Sequence, residues 1–392
     1  MMRFRIGLLS LIFCCLTNFV WAQGSNAYEL SSNTLIHLRQ AGLPLEILRD
    51  LQSLIGIRFD TKEDLRAALQ KLPRSPTTEA LEQIEQFAEM RRLQLQAQEF
   101  SGDQKKGELV FRGEVEGELP REQLRFRSEL LNLVRQEKYE KMRSEGSVEV
   151  EQWDRTLQAG FLFYERAEEG FANEDVRGPV QILRFNEEFR ASAKQGKISG
   201  NLMQADLLRQ QVLLQGRSEA EPARMELDLD EIRRQQAFNS LEELPPTSDS
   251  PETVTLQAAQ ATLNNQVRRL LLEGAVELFK SPEQLRIYGG RVQVEFDATQ
   301  QIQTVYAERA VCFEQPGRVA RADSVRMEQA TQLILLEGNA QVQTDQYNLQ
   351  GESIKLYMDV SQGVAQGDDN SPIRVTILMD QPNSASNAFR CR

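Results

Sequence analysis

The segments LLLEGAVEL (residues 270–278) and ILLEGNAQV (residues 334–342) are two copies of one pattern. Around a central glycine, Gly274 or Gly338, apolar residues occupy every second position. Leu270, Leu272, Val276 and Leu278 thus correspond to Ile334, Leu336, Ala340 and Val342. Alternation with period two places one set of side chains on one face of a β-strand. The correspondence continues without a gap: Leu285 falls on Leu349, and Val292 and Val294 fall on Leu356 and Met358. The offset between copies is 64 residues, an even number, so each position keeps its face.

Working outward, the pattern recurs at Leu109–Val115, Met142–Val150, Val176–Ile182 and Val212–Gly216. Gly113 to Gly146 is 33 residues and Gly146 to Gly178 is 32, half of the 64 that separates the later copies. A period near 32 with several short strands per repeat predicts stacked β layers, each burying its apolar face against the next. A glycine inside each strand supplies a bend rather than pairing strength. The expected fold is mainly β: a V-shaped or jellyroll slab of antiparallel strands whose inner face is Leu, Val, Ile and Phe. A filled interior makes such a slab a scaffold. An open one makes it a groove that shields acyl chains at about 0.8 kcal/mol per CH₂. Open ends of the slab leave strand edges that accept another chain's edge.

The N-terminus carries Arg3 and Arg5, an apolar run from Ile6 to Val20, and the small-residue ending Val20-Trp21-Ala22. This predicts a signal peptide over 1–22, cleaved after Ala22, and hence export to the periplasm. Losing Arg3 and Arg5 takes the formal charge from −12 to −14, which argues against nucleic acid as a partner. Two of the four cysteines remain, Cys312 and Cys391. In an oxidising compartment the pair reads as a structural disulfide closing a loop of roughly 80 residues.

Residues 28–100 read as a helical module. Leu45, Leu48, Leu51 and Leu54 recur at near-helical spacing, Thr61 with Asp64 marks a helix start, and Ser75-Pro76 opens a helix with Leu81, Ile84, Phe87 and Ala88 as its stripe. The β region then divides at an exposed linker, 236–252, rich in Pro, Ser and Asp, into units at 106–232 and 253–380, with a tail at 381–392.

Nothing points to an enzyme. The single histidine, His37, cannot serve a catalytic triad elsewhere or a multi-histidine metal site. Glu168-Glu169 and Asp368-Asp369 adjoin Gly170 and Asn370 and read as solvated turns, and Gly289-Gly290 lacks the Lys-Ser/Thr of a phosphate loop. No cofactor or metal is expected. Trp153, Phe161, Phe163 and Tyr164 cluster near one turn, and Phe161 with Phe163 is expected to pack in the core.

The strand pair LLLEGAVEL…LRIYGGRVQVEFD, then ILLEGNAQVQTDQYNLQGESIKLYMD and GVAQGDDNSPIRVTI, resembles the OstA-like domain of the LptA-type periplasmic lipopolysaccharide-transport family. The resemblance covers about 253–380, and 106–232 more loosely, as a second OstA-like or LptC-like unit. It implies a β-jellyroll that holds lipid A acyl chains inside and joins its neighbours end to end. On that basis lipopolysaccharide or a related lipid is the expected ligand, with other Lpt-type proteins or a second copy of the chain as partners at strand edges. Leu270, Leu272, Val276, Leu278, Val292, Val294, Ile334, Leu336, Ala340, Val342, Leu356 and Met358 are the expected lipid-facing residues. The alternative is a periplasmic structural or adaptor protein with a filled β core and no lipid.

Overall fold

A computed structural model describes residues 28–30, 34–35, 38–39, 41–88, 94–119, 124–136, 139–152, 155–167, 180–239, 251–281, 284–297, 302–344, 347–357, 363–366, 373–377 and 391. The expected signal peptide, His37, Trp153, Glu168, Glu169, Gly178, Met358, Asp368 and Asp369 lie outside the described residues, as does most of the linker and tail.

The N-terminal module packs helices α1 (Leu45–Leu51), α2 (Lys62–Gln70) and α3 (Thr78–Ala88) with a short ladder of β1 (Tyr28–Glu29) and β2 (Arg58–Phe59). Leu48, Leu51, Leu65, Leu69 and Ile84 form a core of its own, distinct from that of the sheet. Thr61 caps α2 as its sequence requires: its hydroxyl oxygen accepts from the Asp64 N–H at 3.1 Å. The next helix starts two residues later than Ser75-Pro76 suggests. The Thr77 hydroxyl accepts from the Ala80 N–H at 3.2 Å and takes the capping role. Glu85 of α3 is buried, and Lys62 and Arg66 of α2 pair with its carboxylate, Lys62 at 2.9 Å. Arg39 donates to the Ala237 carbonyl at 3.0 Å, which ties the module to a helix inserted in the sheet.

The helical reading of 28–100 fails at its C-terminal end. Gln94–Gln96 is strand β3 and Glu99–Asp103 is β4, both paired with β5 (Glu108–Leu119). Local propensity favours helix there, but an available edge takes these residues into the ladder, because pairing is decided by tertiary context.

From β5 the chain runs as an antiparallel meander: β6 (Leu124–Gln136), β7 (Tyr139–Gln152), β8 (Arg155–Ala167), β9 (Val180–Ala193) and β10 (Gly196–Asp206). Two interrupted rows follow. The first is β11 (Gln211–Gln215) with β12 (Ala223–Asp228), and the second is β13 (Thr253–Ala258) with β14 (Gln260–Asn264). β12 pairs with β13 and β11 with β14, and both halves of the second row pair with β15 (Arg269–Ser281). The meander resumes through β16 (Leu285–Phe296), β17 (Ile302–Gln315), β18 (Arg318–Glu328), β19 (Leu333–Thr344) and β20 (Tyr347–Tyr357). It ends on the short strands β21 (Gly363–Gln366) and β22 (Arg374–Ile377). Among the described residues no ladder joins β21 or β22 to β3 or β4. The pairings close on themselves only around the two interrupted rows.

This topology changes the meaning of the 236–252 segment. Its first residues belong to helix α4 (Leu229–Asn239), and the whole insert is the connection of a hairpin between β12 and β13. Hydrogen bonding crosses it, so one continuous sheet carries both β regions.

Every long strand turns near its middle, and the turn alternates in kind. β5, β7, β9, β15, β17 and β19 each turn through two consecutive left-handed residues, such as Gly274-Ala275 and Gly338-Asn339. The strands between them turn at a register shift without positive φ, as β16 does at Gly289-Gly290. These bulges fold the sheet into two layers. The corner of β9 is Glu187-Glu188 and that of β17 is Arg309-Ala310, so the spacing that pointed to Gly178 does not locate the β9 corner.

Candidate functional site: the inner face of the folded sheet

In β15 the buried side chains are Leu270 and Leu272 before the corner and Val276 and Leu278 after it, and in β19 Ile334, Leu336, Ala340 and Val342 repeat the arrangement. The two-residue corner preserves parity, which is why even-numbered positions stay inside on both sides of it. In β16 the corner changes parity: Leu285 and Ile287 face inward before it, Val292 and Val294 after it. Cross-strand pairing then stacks Leu270 on Val294, Leu272 on Val292, and Ile334 on Leu356. Eleven of the twelve expected lipid-facing residues are described, and none is more than 7% exposed.

They belong to one apolar cluster that runs without interruption from Val115 to Leu356. The expectation omitted the contribution of the N-terminal half. Leu124, Phe126, Leu133, Leu157, Leu183, Phe185 and Phe189 line the same interior, as do Val305, Val311 and Phe313 of β17. Their signal was present in the alternation of β6, for example Leu124-x-Phe126, but neither β6, β9 nor β17 carries a glycine to mark it.

The inward side chains are buried against one another in this cluster. A void of about 10 Å³ lies between Ile198, Met203, Val212, Leu214, Met225, Ala261, Leu263 and Leu270. That is about the space of one water molecule. Two inward hydroxyls are satisfied locally: Ser128 and Ser144 each donate to the Leu130 carbonyl at 3.2 Å. Burial pushes the Tyr164 phenol pKa up, and its oxygen accepts from Gln181 at 3.3 Å.

The outer face is charged. Arg291 lies 3.0 Å from Glu308 and 3.6 Å from Glu273 on the flanking strands, and its hydrogen bond holds the Glu308 carboxyl below the ordinary range. Phe161 and Phe163 also lie on this outer face, not in the core as expected. The corner of β8 shifts parity, so Leu162 and Tyr164 turn inward. The two rings stack outside with centroids 6.5 Å apart, Arg143 over one and Lys141 over the other. Among the described residues no group of three or more His, Cys, Asp or Glu could hold a metal ion, and no helix is long and apolar enough to cross a membrane.

Cys312, on the outer side of β17, is bonded to Cys391, and the Cys391 N–H donates to Glu314 at 2.8 Å. This fixes the far C-terminus to the middle of the C-terminal half of the sheet.

Residues 255–362 match the family described as LptA/(LptD N-terminal domain) LPS transport protein. Among solved structures, the chain is similar to the crystal structure of LptH, the LptA homologous periplasmic component of the conserved lipopolysaccharide transport device from Pseudomonas aeruginosa. The likeness has 16% identity and a TM-score of 0.29, and covers 33% of this chain and 95% of that one. No curated protein matches the chain.

Proposed function

We infer that this chain, whose residues 255–362 carry an LptA/LptD N-terminal-type domain, acts in lipopolysaccharide transport in the periplasm. The folded sheet is its carrier. The reading rests on one observation: the apolar inner face of the matched segment continues unbroken into the strands that precede it. Acyl chains lie between the two layers, against Leu270, Leu272, Val276, Ile334, Leu336 and their neighbours. Because those side chains are buried against one another, the layers part to admit a lipid. About ten buried methylenes yield about 8 kcal/mol, enough to offset the repacking of a few side chains. The end strands supply docking edges. β4 exposes Phe100, β21 exposes Val364 and β22 exposes Val375, and each edge accepts a strand of another Lpt-type protein or of a second copy. The reading assigns no catalysis to the chain.

The test is photo-crosslinking in cells. Crosslinkers at Leu272, Val276, Leu336 and Val342 should capture lipopolysaccharide, while those at the polar, off-core positions Glu277 and Gln341 should not. Capture confined to Glu277 and Gln341 would contradict the reading. A structural or adaptor role is the second reading, and the burial of the inward side chains in one continuous cluster favours it. Purified mature protein without bound lipid, and unable to take any up, selects that alternative.

A further inference from the structure

Between β10 and the first interrupted row the ladder opens on one side. β10 pairs with β12 over Gly196–Ser199 and with β11 over Leu202–Asp206, leaving Gly200 and Asn201 without a ladder partner on that side. Opposite them the chain leaves the sheet as a tight excursion from Gly216 to Pro222. It closes on itself through the Arg217 N–H to the Glu221 carbonyl at 3.0 Å. The next boundary is intact, since the Gly216 N–H donates to Ala259 and the Ala259 N–H to Gly274, each at 2.9 Å.

Two cavities lie on opposite faces of the strands at this break. On the outside is a pocket of about 320 Å³ between β9, β10 and the excursion, where Arg190, Arg217 and Arg224 face Glu188 and Glu221. Directly beneath, on the other face of the same strands, lies the small apolar void next to Ile198, Met203 and Met225. Ser199 and Arg224 line the outer pocket, and their chain neighbours Ile198 and Met225 line the inner void. In a chain of net charge −12, three guanidiniums against two carboxylates make the outer pocket locally positive. Arg217 lies 3.4 Å from Glu188 and 3.3 Å from Glu221, an exposed arrangement that an incoming anion can displace.

We propose that this break is a side portal for an anionic glycolipid: the acyl chains pass between β10 and β12 into the interior, and the phosphorylated head group stays outside on Arg217 and Arg224. A ladder with fewer hydrogen bonds parts at lower cost than its neighbours, and here a cationic outer pocket and an apolar void share the same strands. The inference rests on the lipid-carrier reading and adds an entry point within the sheet rather than at its ends.

The experiment compares the unmodified full chain, two stapled variants and their unstapled controls for capture of fluorescent lipopolysaccharide from micelles. Lys197→Cys with Glu226→Cys staples β10 to β12 beside the break, at a paired position. Thr156→Cys with Ser192→Cys staples β8 to β9 on an uninterrupted ladder, where the native hydroxyls are 2.7 Å apart. Lys197→Ser with Glu226→Ser, and Thr156→Ser beside the native Ser192, serve as unstapled controls and leave the Cys312–Cys391 bridge intact. The portal staple should slow capture by about tenfold or more, as expected when binding requires a conformational opening, while the control staple leaves the rate unchanged. Independently, Arg217→Ala should weaken binding of phosphorylated lipid by about tenfold, with dephosphorylated lipid unaffected. A portal staple without effect, or equal slowing by both staples, overturns the portal and leaves lipid carriage standing. Failure of the unmodified protein to capture any lipid removes the carrier reading, and the portal with it.

Discussion

Gly274 and Gly338, 64 positions apart in sequence, hold the same left-handed backbone conformation, φ +77° and +74°, at equivalent corners of β15 and β19. Each is followed by a second left-handed residue, Ala275 or Asn339. The sequence repeat is therefore a repeat of corners, and the glycine is there because two successive left-handed residues are costly with side chains on both. At Gly338 the added Cβ would also lie 2.4 Å from Asp323 Oδ2 and 2.8 Å from Asp323 Cβ. Gly338→Ala is expected to destabilise the protein by about 1–2 kcal/mol through backbone strain, with a further loss from moving Asp323. Gly338→Asn should cost less, because asparagine tolerates this conformation. Equal urea midpoints for the alanine variant and the parent would show that the corner does not need glycine.

Leu272 and Leu336 are fully buried at matching positions of the two copies. Each packs within the same continuous cluster. Leu272→Ala and Leu336→Ala should each cost about 2–5 kcal/mol in denaturant unfolding, as expected for cavity creation in a packed core. If the interior were instead a loose groove, both losses would fall near the transfer value of about 2 kcal/mol or below. The size of the loss thus measures how tightly the resting layers are packed.

Much of the architecture could be read from residues 270–278 and 334–342, because strand alternation and corner glycine act together there. The inward set of β15 and β19 followed directly from parity. Reading failed where the physics of the corner is carried by other residues. Glu187-Glu188 and Arg309-Ala310 make the same turn without glycine, so no spacing marks them. Phe161 and Phe163 were misplaced because the β8 corner shifts parity by one, which no local pattern announces. The continuity of the sheet across 236–252 was hidden for a different reason. A Pro-rich insert looks the same in sequence whether it joins two domains or caps a hairpin, and only the β12–β13 ladder decides between them.

The Cys312–Cys391 bridge spans 79 residues and closes a loop that contains β18 to β22. In the chain-entropy account a loop of this size restricts the unfolded state by about 4 kcal/mol. Cys391→Ser should therefore lower stability by up to about 4 kcal/mol, and Cys312→Ser by more, because it also places a hydroxyl where a buried sulfur sits. Thermal unfolding with and without reductant checks this. A parent protein insensitive to reductant, with variants of unchanged melting temperature, would mean that the bridge constrains nothing.

In the helical module, the Arg66 hydrogen bond, with that of Lys62, holds the Glu85 carboxyl below its ordinary range. Its folded-state pKa is thus lower than the unfolded value of about 4.3. The sign follows from linkage: the carboxylate stabilises the fold fully above that unfolded value, and the contribution is lost as pH falls through the depressed folded value. Glu85→Gln removes the charge from a buried site while Lys62 and Arg66 remain partly exposed and can turn to solvent. The expected loss at neutral pH is about 1.5–3 kcal/mol, the range for a hydrogen bond to a charged group. Stability of parent and variant should begin to converge as pH falls below the unfolded value of about 4.3, and meet only below the depressed folded value. Parallel stability curves from pH 3 to pH 7 would show that the Glu85 charge contributes nothing to holding α2 against α3.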